Sequence, residues 1–150
     1  MGACELDGPM AAEPGCSFCA IASGEKPAAM VLREAEVCAF LDVRPVFKGH
    51  VLVVPRQHVA DLDALPSSLM EPLFAAAQRV VRAQQAALAA QGAFVAVNHR
   101  ISQSVPHLHI HVVPRSKGDG LRGFFWPRVG YDSDAERDEL ARRLAAALRP

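Results

Sequence analysis

The sequence predicts an α+β domain with a roughly five-stranded, mostly antiparallel sheet, one long helix and a C-terminal helix. Three observations carry that expectation. Strand-like runs come in groups, three before and two after a single long stretch of helical periodicity, instead of in the strict βαβ alternation of a doubly wound sheet. At 150 residues, 51% hydrophobic and 21% charged, the chain can bury one sizeable core. No apolar run approaches the roughly 20 residues of a membrane-spanning helix, and no internal repeat is visible.

Met1 to Gly15 carries Glu5, Asp7 and Glu13, lacks a basic n-region and an apolar h-region, and reads as a disordered tail. The domain is therefore expected over residues 16–150, in the cytoplasm. Ser17 to Ala22 reads as a short helix ended near Gly24. Met30 to Arg33 and Val37 to Leu41 read as strands separated by Glu34 to Glu36, and Val51 to Pro55 as a buried strand. Leu69, Met70, Leu73, Phe74, Ala77, Val80, Val81 and Leu88 recur at helical spacing. Ser68 with Glu71 resembles a capping box, and Gly92 stands where a C′ glycine would. Phe94 to Val97 and Val105 to Val113 supply two more strands, the second stopped by Pro114. Asp134 to Leu148 reads as an amphipathic helix whose alanine-rich face is packing surface. The formal net charge of zero argues against a nucleic-acid-binding arm or a membrane-surface helix.

The chemistry concentrates in His107-Leu108-His109-Ile110-His111-Val112-Val113, which holds three of the six histidines. A strand has a side-chain period of two, so the alternation puts three imidazoles on one face and Leu108 and Ile110 on the other. A single histidine is more often a packed or surface residue, and a His-rich tract can simply bind metal. Residues two apart on a strand lie roughly 6.5–7 Å apart, so three in register cannot all reach one ion, and a division of labour is expected.

Of Cys4, Cys16, Cys19 and Cys38, the pair in Cys16-Ser17-Phe18-Cys19 needs explaining. Buried thiols, a redox CxxC and half of a zinc site compete. The redox reading lacks a preceding strand, so zinc is preferred, with His58 and His107 as the remaining ligands.

The run from His107 to Val113 resembles the His-x-His-x-His-x-x signature of the histidine triad (HIT) superfamily of nucleotide hydrolases and transferases. Phe40-Leu41-Asp42, the segment Lys48 to His58, and Gln103-Ser104-Val105 are similar to further family segments, in the expected order. The resemblance implies an HIT-like fold and a nucleotidyl-histidine intermediate on His109. His111, Ser104 and Gln103 would stabilise the phosphoryl group, and His50 would orient His109 from behind. Asp42 would accept from the ribose hydroxyls, and Asn98 would sit beside phosphate or ribose. Ordinary turn chemistry competes for Asn98 and Gln103. Bacterial members with an N-terminal CxxC are similar in closing a structural zinc site with residues matching Cys16, Cys19, His58 and His107.

The chain departs from the family pattern where His99 to Ser102 is shorter than in many relatives and Ser102 stands in place of a frequent glycine. The expected activity is adenosine-phosphoramidase-like, on a purine nucleotide. A dinucleoside polyphosphate hydrolase is the alternative, because Pro114 to Asp119 resembles that branch. A purine-nucleotide-binding or interaction module with weak turnover is the reading from another class. The family also implies a homodimer. Ala75, Ala76, Ala83, Ala86 and Ala87 offer a second small-residue helix face for it, and Phe124-Phe125-Trp126 would be dimer packing or a lid.

Overall fold

The computed structural model describes residues 12–121 and 128–148. They fall into two compact units, the first ending at Asp119 and the second beginning at Gly120.

In the first unit, Pro14 and Gly15, expected in the tail, form a turn in which the Cys16 N–H donates to the Glu13 carbonyl at 3.1 Å. Helix α1 (Ser17–Ser23) follows, capped by the Cys16 sulfur, which accepts from the Cys19 N–H. Gly24 closes it at φ 89°, a left-handed conformation that costs glycine little. Strands β1 (Met30–Arg33), β2 (Val37–Leu41) and β3 (Val51–Pro55) have the expected limits. After them come helix α2 (Ser67–Leu88), β4 (Gly92–Val97) and β5 (Ile110–Arg115). The sheet order is β1-β2-β3-β5-β4, every pairing antiparallel, as the α+β expectation required.

Pleating divides the core between the two faces of this sheet. Val37 and Ala39 of β2, Val51 and Val53 of β3, and Ile110 and Val112 of β5 pack with Leu69, Leu73, Ala76, Ala77 and Val80 of α2. Cys38, Phe40, Leu52 and Val54 point the other way and pack with Phe18, Ile21 and Ala22 of α1. His111 is in register with Leu52, so it belongs to the α1 face. His107 and His109 meet Phe18 of the same helix, so the histidine run shares a face with α1, and α2 supports that face from behind.

Several local expectations differ. Helix α2 starts at Ser67 with Pro66 as N-cap and no side-chain cap bond, so Ser68 and Glu71 do not form a capping box; Ser68 is already inside the helix. It ends on Ala89, not Gly92. Ala89 takes the left-handed conformation at φ 53° and donates its N–H to the Gln84 carbonyl, while Gly92 opens β4. Met70 and Phe74, at the right period but on the outer side of the helix, are exposed. The last strand begins at Ile110, not Val105: the His107 N–H donates to the Val105 carbonyl at 2.8 Å and the Leu108 N–H to the Val59 carbonyl at 2.7 Å, outside the ladder. Nor does Pro114 stop it. The β3 pairing ends at Val112, so Pro114 lies where β5 has β4 as its one neighbour, a position that tolerates a missing N–H.

In the second unit, helix α3 (Asp134–Ala147) is capped by Ser133, whose Oγ accepts from the Glu136 N–H at 3.1 Å. None of its residues is buried, and charged residues recur around the helix and interrupt the alanine-rich face expected to pack. Phe124, Phe125 and Trp126 lie outside the described residues. No described helix is long and apolar enough to cross a membrane.

Candidate active site and metal centre

The hydrogen bonds of the histidines assign their protons. His109 places Nδ1 2.7 Å from the carbonyl oxygen of His107. A carbonyl only accepts, so Nδ1 carries the hydrogen and Nε2 keeps its lone pair. At His50, Nδ1 accepts from the Val46 N–H at 3.2 Å, so the proton sits on Nε2 and is donated to Nδ1 of His111 at 3.0 Å. His111 is then left with an N–H at Nε2, a buried donor with no protein partner among the described residues.

His50 therefore orients His111, not His109. The expectation that it would orient the central histidine from behind is corrected: the other ring nitrogen of His109 is held by the main chain two residues earlier. The bend through Ser104–His107 brings that carbonyl under the ring.

Burial disfavours the charged form of His111 and of His50. His111 is pushed down to about 4 by desolvation first, then by His109 and His50. Burial also lowers His50, against the opposing pull of Asp42. The Asp42 carboxylate stands 3.6 Å from His50 Nδ1, beyond hydrogen-bond reach, and accepts from the Arg44 N–H at 2.8 Å.

His109, His111, Ser104 and Asp42 line one pocket of about 220 Å³ with Phe18, Ile21, Phe40 and Leu52. Phe18 meets His109 edge-on with ring centroids 5.2 Å apart, and His109 meets His111 at 4.8 Å. Asp42, Ser104, His109 and His111 are thus brought together as the sequence led us to expect. Gln103 and Asn98 are not. Gln103 accepts from the Arg100 N–H at 3.0 Å and donates to the Ala60 carbonyl at 2.7 Å, and Asn98 donates to the Ser102 carbonyl at 3.3 Å. Both amides hold the 98–104 loop, which is the turn chemistry that competed for them. Arg100 fastens that loop to Asp61 at 2.8 Å and Asp63 at 3.1 Å. Ser102, standing in place of the frequent glycine, adopts φ 61°, the region where glycine is least strained.

Behind the pocket, Cys16, Cys19, His58 and His107 offer four ligand atoms all within 4.8 Å of one another. Cys16 Sγ and Cys19 Sγ lie 3.4 and 3.5 Å from His107 Nδ1, and Cys19 Sγ lies 3.4 Å from His58 Nδ1. His107 Nε2 donates to the Pro55 carbonyl at 2.8 Å, leaving Nδ1 as a lone pair aimed at the sulfurs. Two thiols and two imidazoles at these separations suit a tetrahedral zinc ion. Burial raises the Cys19 thiol and pushes His107 down to about 4. Cys38, fully buried and pushed up to about 11 by burial, is an inert core thiol.

Sequence reasoning missed Phe18 as a pocket wall and Gln84. The signal for Phe18 was its place inside the CxxC pair. For Gln84 it was a lone amide in the stripe Leu73, Ala77, Val80, a polar residue on a face that must be buried.

The model of the HIT domain matches residues 23–118. A HIT-like protein of Mycobacterium tuberculosis is 36% identical over 140 residues, covering 88% of this chain and 97% of its own length. Adenosine 5'-monophosphoramidase of Candida albicans is 29% identical, covering 83% and 86%. The crystal structure of a HIT family member from Bacillus subtilis superposes with TM-score 0.80 at 30% identity, covering 91% of this chain and 99% of that one. A zinc-bound histidine triad protein of Mycobacterium smegmatis gives TM-score 0.69 at 36% identity, covering 88% and 97%. The chain belongs to the histidine triad, or HIT-domain, family.

The neutral His111 has a consequence for stability. Its folded pKa lies below the unfolded value of 6.5, so between about 6.5 and 4 the unfolded chain binds a proton that the folded chain does not. Stability is lost as pH falls through that window. Melting temperature should therefore drop more steeply from pH 6.5 to 4 in wild type than in His111→Asn, and parallel slopes would contradict a buried neutral ring.

Proposed function

We propose that this protein is a nucleotide hydrolase acting at the α-phosphate of nucleoside monophosphate derivatives, with a preference for adenosine phosphoramidates. The observation that carries this reading is the His109–His107 hydrogen bond, because it puts the hydrogen on Nδ1 and leaves Nε2 as the nucleophilic nitrogen of a ring that lines the pocket. His109 Nε2 attacks the α-phosphorus; the phosphorus–nitrogen bond to His109 forms as the bond to the leaving group breaks. His111 Nε2–H donates to the departing amine or oxygen, and Ser104 to a phosphoryl oxygen. Water then attacks the same phosphorus and returns its proton to His111 Nε2, releasing nucleoside monophosphate and restoring neutral His109.

Phe18, Ile21, Phe40 and Leu52 supply apolar walls for a flat purine. Asp42 retains acceptor capacity for the ribose hydroxyls beyond its bond to Arg44. Gln103 and Asn98 act on this reading through the loop that carries Ser104. Adenosine is favoured because the Candida albicans relative is an adenosine 5'-monophosphoramidase.

Cys16, Cys19, His58 and His107 would hold a structural zinc, a reading supported by the zinc-bound Mycobacterium smegmatis neighbour. A closed four-ligand site supplies rigidity and leaves no open position for substrate. The free thiols Cys16, Cys19 and Cys38 suit a reducing, cytoplasmic setting. A homodimer fits the exposed Met70 and Phe74 on the outer side of α2 and Val95 on the edge strand β4.

A substrate panel tests the activity. Adenosine 5'-phosphoramidate and aminoacyl phosphoramidates should turn over with higher kcat/KM than diadenosine polyphosphates. The reverse order would make the chain a dinucleoside polyphosphate hydrolase, and nucleotide binding without turnover of any of them would make it a binding module.

A further inference from the structure

We infer that Gln84, on the buried face of α2 and outside the pocket, is a positioning residue that sets the His50–His111 pair. Its side-chain amide donates one hydrogen to the Gly49 carbonyl and the other to the Val112 carbonyl, both at 2.9 Å. Gly49 immediately precedes His50, and Val112 immediately follows His111. A single buried amide thus ties together the main chain next to both rings, which are themselves joined at 3.0 Å.

The orientation of the amide is forced, because two carbonyls require two donors. Its Oε1 is buried with no hydrogen-bond partner among the described residues, so Gln84 serves as a double donor and forgoes its acceptor. An apolar residue would fill the Leu73, Ala77, Val80 stripe without that cost. The next turn of α2 confines Gly49 from a second side. A Cβ there would come within 2.4 Å of Leu88 Cδ1, and the backbone lies at φ 94°. The turn leading to His50 is therefore held against α2 by both packing and hydrogen bonding. Any loosening should appear first in the ring pair, since Nε2 of His111 keeps its proton only while His50 donates to Nδ1.

The functional consequence rests on the hydrolase reading; the geometric one does not. Gln84→Met keeps the volume and removes both donors. Val80→Ala, a buried truncation on the same helix without contact to either carbonyl in the hydrogen-bond network, serves as the stability-matched control. With 15N-labelled histidine, Gln84→Met should shift the His50 and His111 ring nitrogens. It should also lower kcat about tenfold, with KM within about twofold of wild type. Val80→Ala should change neither. Gln84→Glu, of the same shape, carries the same expectation if the methionine variant does not fold. Unshifted rings with wild-type kcat in the Gln84 variant, or an equal loss of kcat in Val80→Ala, would overturn the inference. If wild type turns over no nucleotide, the hydrolase reading has failed, and the ring resonances alone decide the role of Gln84.

Discussion

His109→Ala will lower turnover by at least about 10³-fold on the proposed mechanism, in which it removes the atom that bonds to phosphorus. Its ring is nearly fully buried and packs against Phe18 and His111, so the truncation should also cost about 2 kcal/mol of stability. His109→Asn separates the two effects. An asparagine amide can still donate to the His107 carbonyl, as Nδ1–H does, but offers no nucleophilic nitrogen at the position of Nε2. It should retain nucleotide affinity by calorimetry and lose turnover as fully as alanine does. His111→Ala should lose less, since water and Ser104 can donate in its place. Near-normal kcat in His109→Asn would remove His109 from the covalent step.

Loss of the metal centre is the second large effect expected. Purified protein should carry about one zinc per chain, and Cys16→Ser should lose it. The cost should be about 3–5 kcal/mol, read as a fall of roughly 10 °C in Tm. The chain of contacts says where the damage goes. Cys16 caps α1 and Cys19 lies within it; α1 carries Phe18 and Ile21, two walls of the pocket. Releasing that helix should raise KM more than it lowers kcat, because the ring nitrogens of His109 and His111 are held by the main chain and His50, α1 adding to His109 the edge-on contact of Phe18. A folded, active preparation free of zinc would leave Cys16 and Cys19 as buried thiols and the account of the N-terminal segment would fail.

The first three strands were legible because charged or proline-bearing segments punctuate short apolar runs, and strands such as β2 and β3, buried on both faces, need no alternation to be recognised. The histidine run shows where pattern is silent. Alternation reports which way side chains point, not whether the backbone is paired. The N–H groups of His107 and Leu108 go to Val105 and Val59 outside the ladder, and one of those partners is nearly fifty positions away in sequence. That bend is what supplies His109 with a main-chain carbonyl, so the local misreading of the strand and the misassigned partner of His50 have one cause. The end of α2 was hidden for a different reason. Its left-handed residue is Ala89, which carries none of glycine's signal, and the true glycine three positions later begins a strand. The side chains of the site were legible by type, since imidazoles, a hydroxyl and a carboxylate are what phosphoryl chemistry requires. Asn98 and Gln103 were not, because an amide suits a loop as well as a phosphate, and tertiary contacts decide between them.

Rapid quenching of wild-type protein with adenosine 5'-phosphoramidate, followed by mass spectrometry of its peptides, tests the central claim most directly. The account predicts an adenylyl group on the peptide containing His109, labile to acid as a phosphorus–nitrogen bond should be, and absent from His109→Asn. Turnover of that substrate with no adduct at any quench time, or with the adduct on another residue, would contradict it.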